Sequence, residues 1–266
     1  MAPLTPMMKQ YMEIKAQYKD CILFYRLGDF YEMFFEDALT ASKELEITLT
    51  GKDCGQEERA PMCGVPYHSV DGYLNKLISK GYKVAICEQV EDPKAAKGIV
   101  KREVIRIVTP GTNLNAQALD ETKNNYLMCI VYIGDTYGIS TADVSTGDYY
   151  VTEVDSSKKL LDEITKFAPA EIIHNDYFLM SGASLDDIKN RLNISVSALD
   201  RWYTDEDMCI SKLKEHFKVS VIDGLGLKDY PIGTIAAGAL LQYLYETQKN
   251  ALPHLTRLTP YQSGKY

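Results

Sequence analysis

A short stretch near the amino terminus, residues 21–35, limits how this chain can fold. An apolar run at residues 22–25 is typical of a buried strand, and Gly28 and Asp29 then supply a turn signal. If the residues after the turn are extended, side-chain alternation puts three of them on one face: Phe30, Glu32 and Phe34. The sequence therefore predicts two strands joined by a tight turn, with an aromatic ring and a carboxylate projecting side by side.

Residues 1–112 are predicted to form one mixed α/β domain. Thr5 and Pro6 are typical of a helix start, because a hydroxyl can cap the first turn and proline fits the first helical position. Ser69 is a second candidate cap. The predicted order is a helix from residue 6, strands at 22–25 and 30–34, a helix at 35–44, a strand at 47–50, a polar loop at 51–59, an extended segment at 61–66, a helix at 70–80, a strand at 84–87, a turn with a short basic helix at 92–97 and a strand at 104–108.

A segment rich in turn residues then separates this pattern from a different one. Residues 113–124 are assigned to a linker, and residues 125–250 are predicted to form a second α/β domain. Three strands at 126–133, 136–144 and 149–154 make an antiparallel meander. After them come helices at 158–167, 185–192, 206–217 and 232–248, with strands at 170–174 and 194–198. A meander followed by alternating helices and strands is the order of a ribonuclease H-like fold.

Composition and charge restrict the class of protein. The 266 residues, 45% of them hydrophobic, suffice for two cores, and no run approaches the ~20 apolar residues of a membrane span, so we expect a cytoplasmic protein. None of the six cysteines has Cys-x-x-Cys spacing, so we expect reduced thiols, although Cys54 and Cys63 flank a polar loop and could approach each other. Residues 1–115 carry 15 Lys and Arg against 16 Asp and Glu, whereas residues 116–266 carry 14 against 21. This balance disfavours a protein that simply coats nucleic acid.

The usual catalytic signatures are missing from the sequence. A ribonuclease H-like nuclease binds metal ions through carboxylates, one of them on the first strand, and residues 126–132 contain none. Asp143 and Glu153 on the next two strands are expected to be solvated, so nuclease activity is disfavoured and no metal site is predicted. No Gly-x-x-x-x-Gly-Lys-Ser/Thr loop for a nucleotide occurs, and the four histidines are expected at surface or capping positions.

Five short motifs follow one another along the first predicted domain: residues 5–11 (TPMMKQY), 24–34 (FYRLGDFYEMF), 61–68 (PMCGVPYH), 84–89 (VAICEQ) and 106–112 (RIVTPGT). In this order they resemble the amino-terminal mismatch-recognition domain of the MutS family of DNA mismatch-repair proteins. Residues 142–147 (ADVSTG) resemble the connector domain of the same family. The resemblance therefore extends over both predicted domains.

That resemblance implies a site and a function. In MutS proteins the Phe of a Phe-x-Glu element enters the DNA minor groove and stacks on a mispaired base, while the Glu hydrogen-bonds to it; these roles fall on Phe30 and Glu32. Further candidate DNA contacts are Lys52, Arg59 and Met62. Residues 1–112 become the mismatch-recognition domain, residues 125–250 the connector that docks a MutL-type partner, and residues 251–266 the start of a further domain. The family's ATPase, with its ATP and magnesium, and its dimer interface are expected outside this sequence, so this chain is not expected to be an enzyme.

Other interpretations stay open at the level of sequence. An isolated Phe such as Phe30 is more often a core residue, and the polar loop 51–59 is more often a solvated connection than a DNA contact. Alternatively, the chain is a protein-interaction module, in which acidic residues 116–266 dock a repair partner and Phe30 is a hydrophobic anchor. Binding to duplex DNA with and without a mispair separates these possibilities.

Overall fold

The computed structural model of the protein describes residues 2–115 and 123–264. The chain divides into two compact units, Met1–Thr109 and Pro110–Tyr266, and each unit contains a six-stranded mixed sheet with helices packed on it. The predicted α/β fold class is confirmed. The predicted linker lies partly outside the described residues, because residues 116–122 are not among them.

The first unit is one sheet with helices on both faces. Its helices are α1 (Pro6–Lys15), α2 (Phe35–Leu45) and α3 (Val70–Ser79), and its strands are β1 (Ile22–Leu27), β2 (Phe30–Phe34), β3 (Thr50–Lys52), β4 (Ala60–Pro66), β5 (Val84–Gln89) and β6 (Arg102–Val108). The strand order is β3-β4-β2-β1-β5-β6, and β1 and β5 are the parallel pair. The strand predicted after the Gly28 turn is therefore flanked on both sides, which gives it a rigid setting.

Alternation along the strands divides the first unit into two cores. On one face α1 packs Met8 and Tyr11 against Leu23, Tyr25 and Phe34. On the other face, residues of α2 and α3 pack against a second set of strand residues that includes Phe24, Tyr31, Met33, Cys63 and Val65. As predicted, Thr5 caps α1: the Met8 N–H donates to Thr5 Oγ1 at 3.3 Å, and Pro6 follows the cap.

Three local predictions for this unit were wrong. The strand expected at residues 47–50 begins at Thr50 and ends at Lys52, so part of the expected loop belongs to the sheet. Ser69 occupies the position before α3, but its hydroxyl donates to the Pro66 carbonyl and does not cap the helix. Residues 92–97 contain the predicted turn but not the predicted short helix, because the Asp92 side chain accepts the Lys94 N–H in a local turn that competes with helix formation.

The second unit contains the predicted meander with one additional strand. Its strands are β7 (Leu127–Ile133), β8 (Thr136–Ala142), β9 (Tyr149–Val154), β10 (Glu171–His174), β11 (Ser195–Ala198) and β12 (Thr259–Pro260), and its helices are α4 (Ser157–Phe167), α5 (Glu206–Phe217) and α6 (Pro231–Gln248). The order is β11-β10-β7-β8-β9-β12, with β7, β8 and β9 antiparallel and β10 parallel to β7. Gly134 and Asp135, both with positive φ, make the tight turn between β7 and β8.

Helix α6 is buried along most of its length against this sheet. Its start lies so close to β8 that a Cβ on Gly138 would be 2.4 Å from the Ile232 carbonyl oxygen. Farther along, a Cβ on Gly238 would be 2.4 Å from the Cβ of Cys209 on α5. Two glycines therefore let α6 fill the space between the sheet and α5.

Both ends of the second unit differ from the sequence-based expectation. Residues 251–264, expected to start a further domain, pack within this unit: β12 pairs with β9, and the Tyr261 and Ser263 hydroxyls donate to buried Glu163. The Gly111 N–H donates to buried Glu171 at 3.0 Å, which attaches this predicted first-domain residue to the second unit. The helix expected at residues 185–192 is present: it begins at residue 185 and continues as a π-helical turn over Asp187–Arg191.

All six cysteines are buried free thiols. Cys54 and Cys63 belong to the cores on opposite faces of the first sheet, so they do not approach each other. Burial raises the pKa of the Cys87 thiol to about 12 and that of Cys63 to about 11, which keeps both protonated and unreactive.

Candidate nucleic-acid interface

The turn between β1 and β2 is held from both sides. Gly28, the first of its two residues, has a φ of 58°, which a type II′ hairpin turn requires at that position. The Arg26 side chain donates through Nε to the Gly28 carbonyl at 2.6 Å. From the β4 side, the Tyr67 N–H donates to the Asp29 carbonyl at 2.9 Å. The residue that follows this turn, Phe30, is therefore carried by a well-defined piece of backbone.

Phe30 and Phe34 share a face of β2 but have different surroundings. Phe34 is fully buried, and Tyr11 of α1 packs edge-on against it with ring centroids 4.8 Å apart. Phe30 keeps 47% of its surface exposed. Since an exposed aromatic ring cannot be a core residue, the interpretation of Phe30 as core is wrong, and the predicted alternation along β2 is confirmed.

Glu32, on the same face, forms an ion pair that crosses a neighbouring strand. Lys52 Nζ of β3 lies 3.1 Å from Glu32 Oε2, although β4 runs between β3 and β2. Both side chains are partly exposed, 30% for Lys52 and 15% for Glu32. Gly64, the β4 residue opposite Glu32, leaves space here: a Cβ on it would lie 3.5 Å from Glu32 Cγ and 3.8 Å from Phe30 Cδ1.

Met62 completes this surface, while Arg59 does not belong to it. Met62 lies opposite Phe34 in the pairing of β2 with β4, and the Thr50 hydroxyl donates to its carbonyl at 3.3 Å. Arg59 precedes β4, and its side chain packs beside Gly51. Neighbouring strand positions face opposite sides of a sheet, so Arg59 lies on the face opposite Lys52. We call Phe30, Glu32, Thr50, Lys52, Met62 and Gly64 the β2–β4 platform. It brings together four of the five predicted contact residues. The role of all five as DNA contacts, Arg59 included, stays a prediction.

A second group of side chains supports the platform from the other face of the sheet. The Arg26 guanidinium lies 3.8 Å from the ring centroid of Tyr67 and pairs with Glu88 Oε2 at 3.3 Å. Tyr31 donates its hydroxyl hydrogen to the same carboxylate. Burial raises the pKa of Glu88 even though Arg26 opposes that shift. Sequence reasoning gave Arg26, Glu88 and Gly64 no role, although all three lie inside the motifs quoted above.

Comparisons with known proteins assign both units. The family model for MutS domain I matches residues 5–117, and the model for MutS domain II matches residues 125–256. The chain belongs to the MutS family. It is 69% identical over 266 residues to the DNA mismatch repair protein MutS of Lachnoclostridium phytofermentans, covering 100% of this chain and 28% of that relative. The MutS proteins of Acetivibrio thermocellus, at 54% identity with 100% and 31% covered, and Clostridioides difficile, at 49% with 100% and 28% covered, are also similar.

This chain therefore spans about 30% of the length of the MutS relatives it matches. Within the described residues 2–115 and 123–264, no group of three or more acidic, histidine or cysteine side chains is arranged to hold a metal ion. In the same part of the chain, no helix is long and apolar enough to cross a membrane.

The two carboxylates that were weighed as nuclease ligands have structural roles in the region matched by MutS domain II. Asp143 is 1% exposed, so the prediction that it is solvated was wrong. It accepts hydrogen bonds from the Ser145 N–H and hydroxyl and from the Asn125 N–H. Glu153 accepts the N–H groups of Ile232 and Gly233 at the start of α6, where a carboxylate offsets the helix dipole.

One of the four histidines also departs from its expected surface or capping position. His174 is 2% exposed, and burial lowers the pKa of its imidazole.

Proposed function

We propose that the first unit recognises mispaired or unpaired bases in duplex DNA, as part of a DNA mismatch-repair protein, with Phe30 as a wedge in the minor groove. The observation that carries this proposal is the exposed ring of Phe30, placed on a supported hairpin beside the carboxylate of Glu32. An apolar wedge partly unstacks a base step at a cost of a few kcal/mol, and a mispaired step offers the least resistance. The protein then distinguishes mispaired from fully paired DNA because a mispaired step costs less free energy to unstack.

Glu32 has a different task in this proposal. An ionised carboxylate is repelled by phosphates, and it is only an acceptor of hydrogen bonds. The minor-groove edges of paired bases present mostly acceptors, so Glu32 gains little from fully paired DNA. A mispaired base has N–H groups released from pairing and can donate one of them to Glu32.

Titration of labelled duplexes with and without a single mispair tests this function. We expect tighter binding of the mispaired duplex, and binding of both that weakens steeply with salt. Glu32→Gln should raise the affinity for fully paired DNA and gain less, or lose, on mispaired DNA. Equal affinity of the unchanged protein for the two duplexes would contradict the proposal.

A second candidate function for the second unit is the docking of a MutL-type repair partner. Trp202 and Met208, 41% and 46% exposed, line a groove of about 430 Å³. Its charged lining residues are three acids and one base: Asp207, Glu215, Glu246 and Lys212. Exposed tryptophans are common anchors in protein interfaces, and the acidic residues suit a basic partner.

Capture of a MutL-type protein at two ionic strengths tests this docking function. Binding should weaken as salt rises and should fall in Trp202→Ala, because rim charges are screened and the anchor is lost. A matched change at an exposed aromatic residue elsewhere in the second unit, Tyr177→Ala, should leave capture unchanged. Capture retained by residues 1–112 alone would refute the assignment.

The remaining features of a full-length MutS protein are proposed to lie outside these residues. They include ATP hydrolysis with magnesium and dimer formation. We also propose that the protein acts in the cytoplasm. Assays for ATP hydrolysis and metal-dependent DNA cleavage by this chain should both give no turnover above the background of the buffer.

A further inference from the structure

The ion pair between Glu32 and Lys52 joins the two groups on the platform that respond most strongly to DNA. Glu32 is repelled by phosphates, and Lys52 is attracted to them. In the structure without DNA, Lys52 Nζ lies 3.1 Å from the carboxylate, and this pair is partly exposed. The pair is one contact between single nitrogen and oxygen atoms, and its Lys52 side chain is 30% exposed, so a phosphate can reach the ammonium group and compete for it.

The two possible partners on DNA differ in when they are present. Phosphates border every minor groove, which is only about 6 Å wide, so a lysine beside an inserted Phe30 always has one nearby. A free N–H for Glu32 is present only where a base has lost its normal pairing. If Lys52 moves to a phosphate, Glu32 is left without its cation in the negative field of the phosphates. That cost is offset only where an unpaired base donates an N–H to Glu32.

We propose that Lys52 is a specificity-determining residue that exchanges partners: it stays on Glu32 when the duplex is fully paired and moves to a phosphate when Glu32 binds a mispaired base. This inference rests on the proposed function of the platform. It makes mispair recognition and backbone binding one coupled event, because the base that Glu32 binds releases a cation for the backbone. Gly64, the β4 residue opposite Glu32, has no side chain that would obstruct a movement of the Glu32 side chain.

The exchange predicts a difference in salt dependence. Each phosphate neutralised by a cation makes the slope of log K against log salt concentration more negative by about 0.9. Mispaired DNA, which engages Lys52, should therefore show a slope steeper by about 0.9 than fully paired DNA. A fixed set of phosphate contacts would give equal slopes for both duplexes.

Affinity titrations over a series of salt concentrations test the exchange, using the full natural chain that contains residues 1–266. In Glu32→Gln, Lys52 is free on both duplexes, so the two slopes should become equal at the steeper value. In Lys52→Gln no exchange occurs, so they should become equal at the shallower value. Lys52→Arg keeps the cation and should restore the difference.

A matched control is available on the other side of the sheet. Lys80 at the end of α3 pairs with Glu44 of α2 at 2.9 Å, with similar exposure, and these helices pack on the face opposite the platform. Lys80→Gln should leave the slope difference unchanged.

Equal slopes in a protein that still prefers mispaired DNA would overturn the exchange and leave the proposed function intact. A slope difference that survives in Lys52→Gln would overturn it as well, because another cation would then be responsible. Absence of any preference for mispaired DNA, or of binding to either duplex, would overturn the proposed function and the exchange with it.

Discussion

Replacing Phe30 with alanine is expected to abolish discrimination while leaving the first unit folded. Full burial of a phenylalanine side chain contributes roughly 1.5–3 kcal/mol to stability. Phe30 keeps 47% of its surface exposed, so about half of that contribution, on the order of 1 kcal/mol, is lost in Phe30→Ala. On mispaired DNA the same change removes base stacking of about 1–3 kcal/mol, which corresponds to about a 5- to 140-fold loss of affinity.

Phe34 provides the matched control for this experiment. It lies on the same strand and the same face, yet it is fully buried against Tyr11. Phe34→Ala should therefore lower the free energy of unfolding by about 3–5 kcal/mol. The two variants delete the same atoms, so any difference between them reports the surroundings of the ring.

The measurement combines DNA titration with chemical unfolding. The single tryptophan, Trp202, lies in the second unit, so its fluorescence should be unchanged in both variants and serves as an internal control. Unfolding of the first unit is followed by hydrogen exchange of its strand amides, because two units need not unfold in one step. A Phe30→Ala protein destabilised as much as Phe34→Ala, or one that still prefers mispaired DNA, would refute the wedge assignment.

The remaining predictions concern two buried groups of the second unit. Asp143→Ala leaves the N–H groups of Ser145 and Asn125 without their acceptor, so it should lower the free energy of unfolding of this unit by about 1.5–3 kcal/mol. Trp202 fluorescence in urea measures this change. If stability is unchanged, and the variant loses a metal-dependent DNA cleavage that the unchanged protein shows, the nuclease hypothesis would be restored. Burial lowers the pKa of His174 in the folded protein, so the unfolded chain binds a proton more readily. The contribution of neutral His174 to stability is complete above pH 6.5 and is lost as the pH falls below that value. The loss is at most ~1.36 kcal/mol per pH unit. Unfolding curves between pH 5.5 and 7.5 should show this component in the unchanged protein and not in His174→Gln, and an identical pH dependence of the two would contradict it.

The sequence predicted best those features that depend on residues close together in the chain. The turn at Gly28, the alternation along β2 and the cap at Thr5 depend on residues within a few positions of one another. The meander of β7, β8 and β9 was predicted for the same reason, since turn signals separate apolar runs. Errors occurred where a side chain competes locally with the backbone, as Asp92 does in the turn that replaced a predicted helix.

The candidate site was only partly predictable for a related reason. Motif resemblance selected Phe30 and Glu32, Met62 lies in a third motif segment, and Lys52 was a separate candidate from the polar loop 51–59. Their assembly depends on a register in which β4 lies between β2 and β3, so that Lys52 reaches Glu32 across Gly64. A pair that is 20 residues apart in the chain has no sequence signal of its own.

The sequence by itself determined which residues of β2 share a face, because the period of a strand is a property of the backbone. Only the tertiary structure decided that Phe34 is buried and Phe30 exposed, because the Tyr11 ring of α1 packs against Phe34 while Phe30 stays open to solvent. The same holds for Asp143 and Glu153, which the sequence left as solvated carboxylates. Backbone N–H groups distant in the chain bind both, that of Asn125 for the buried Asp143 and that of Ile232 for the partly buried Glu153. Burial of a charge is tolerated only where the fold supplies such partners.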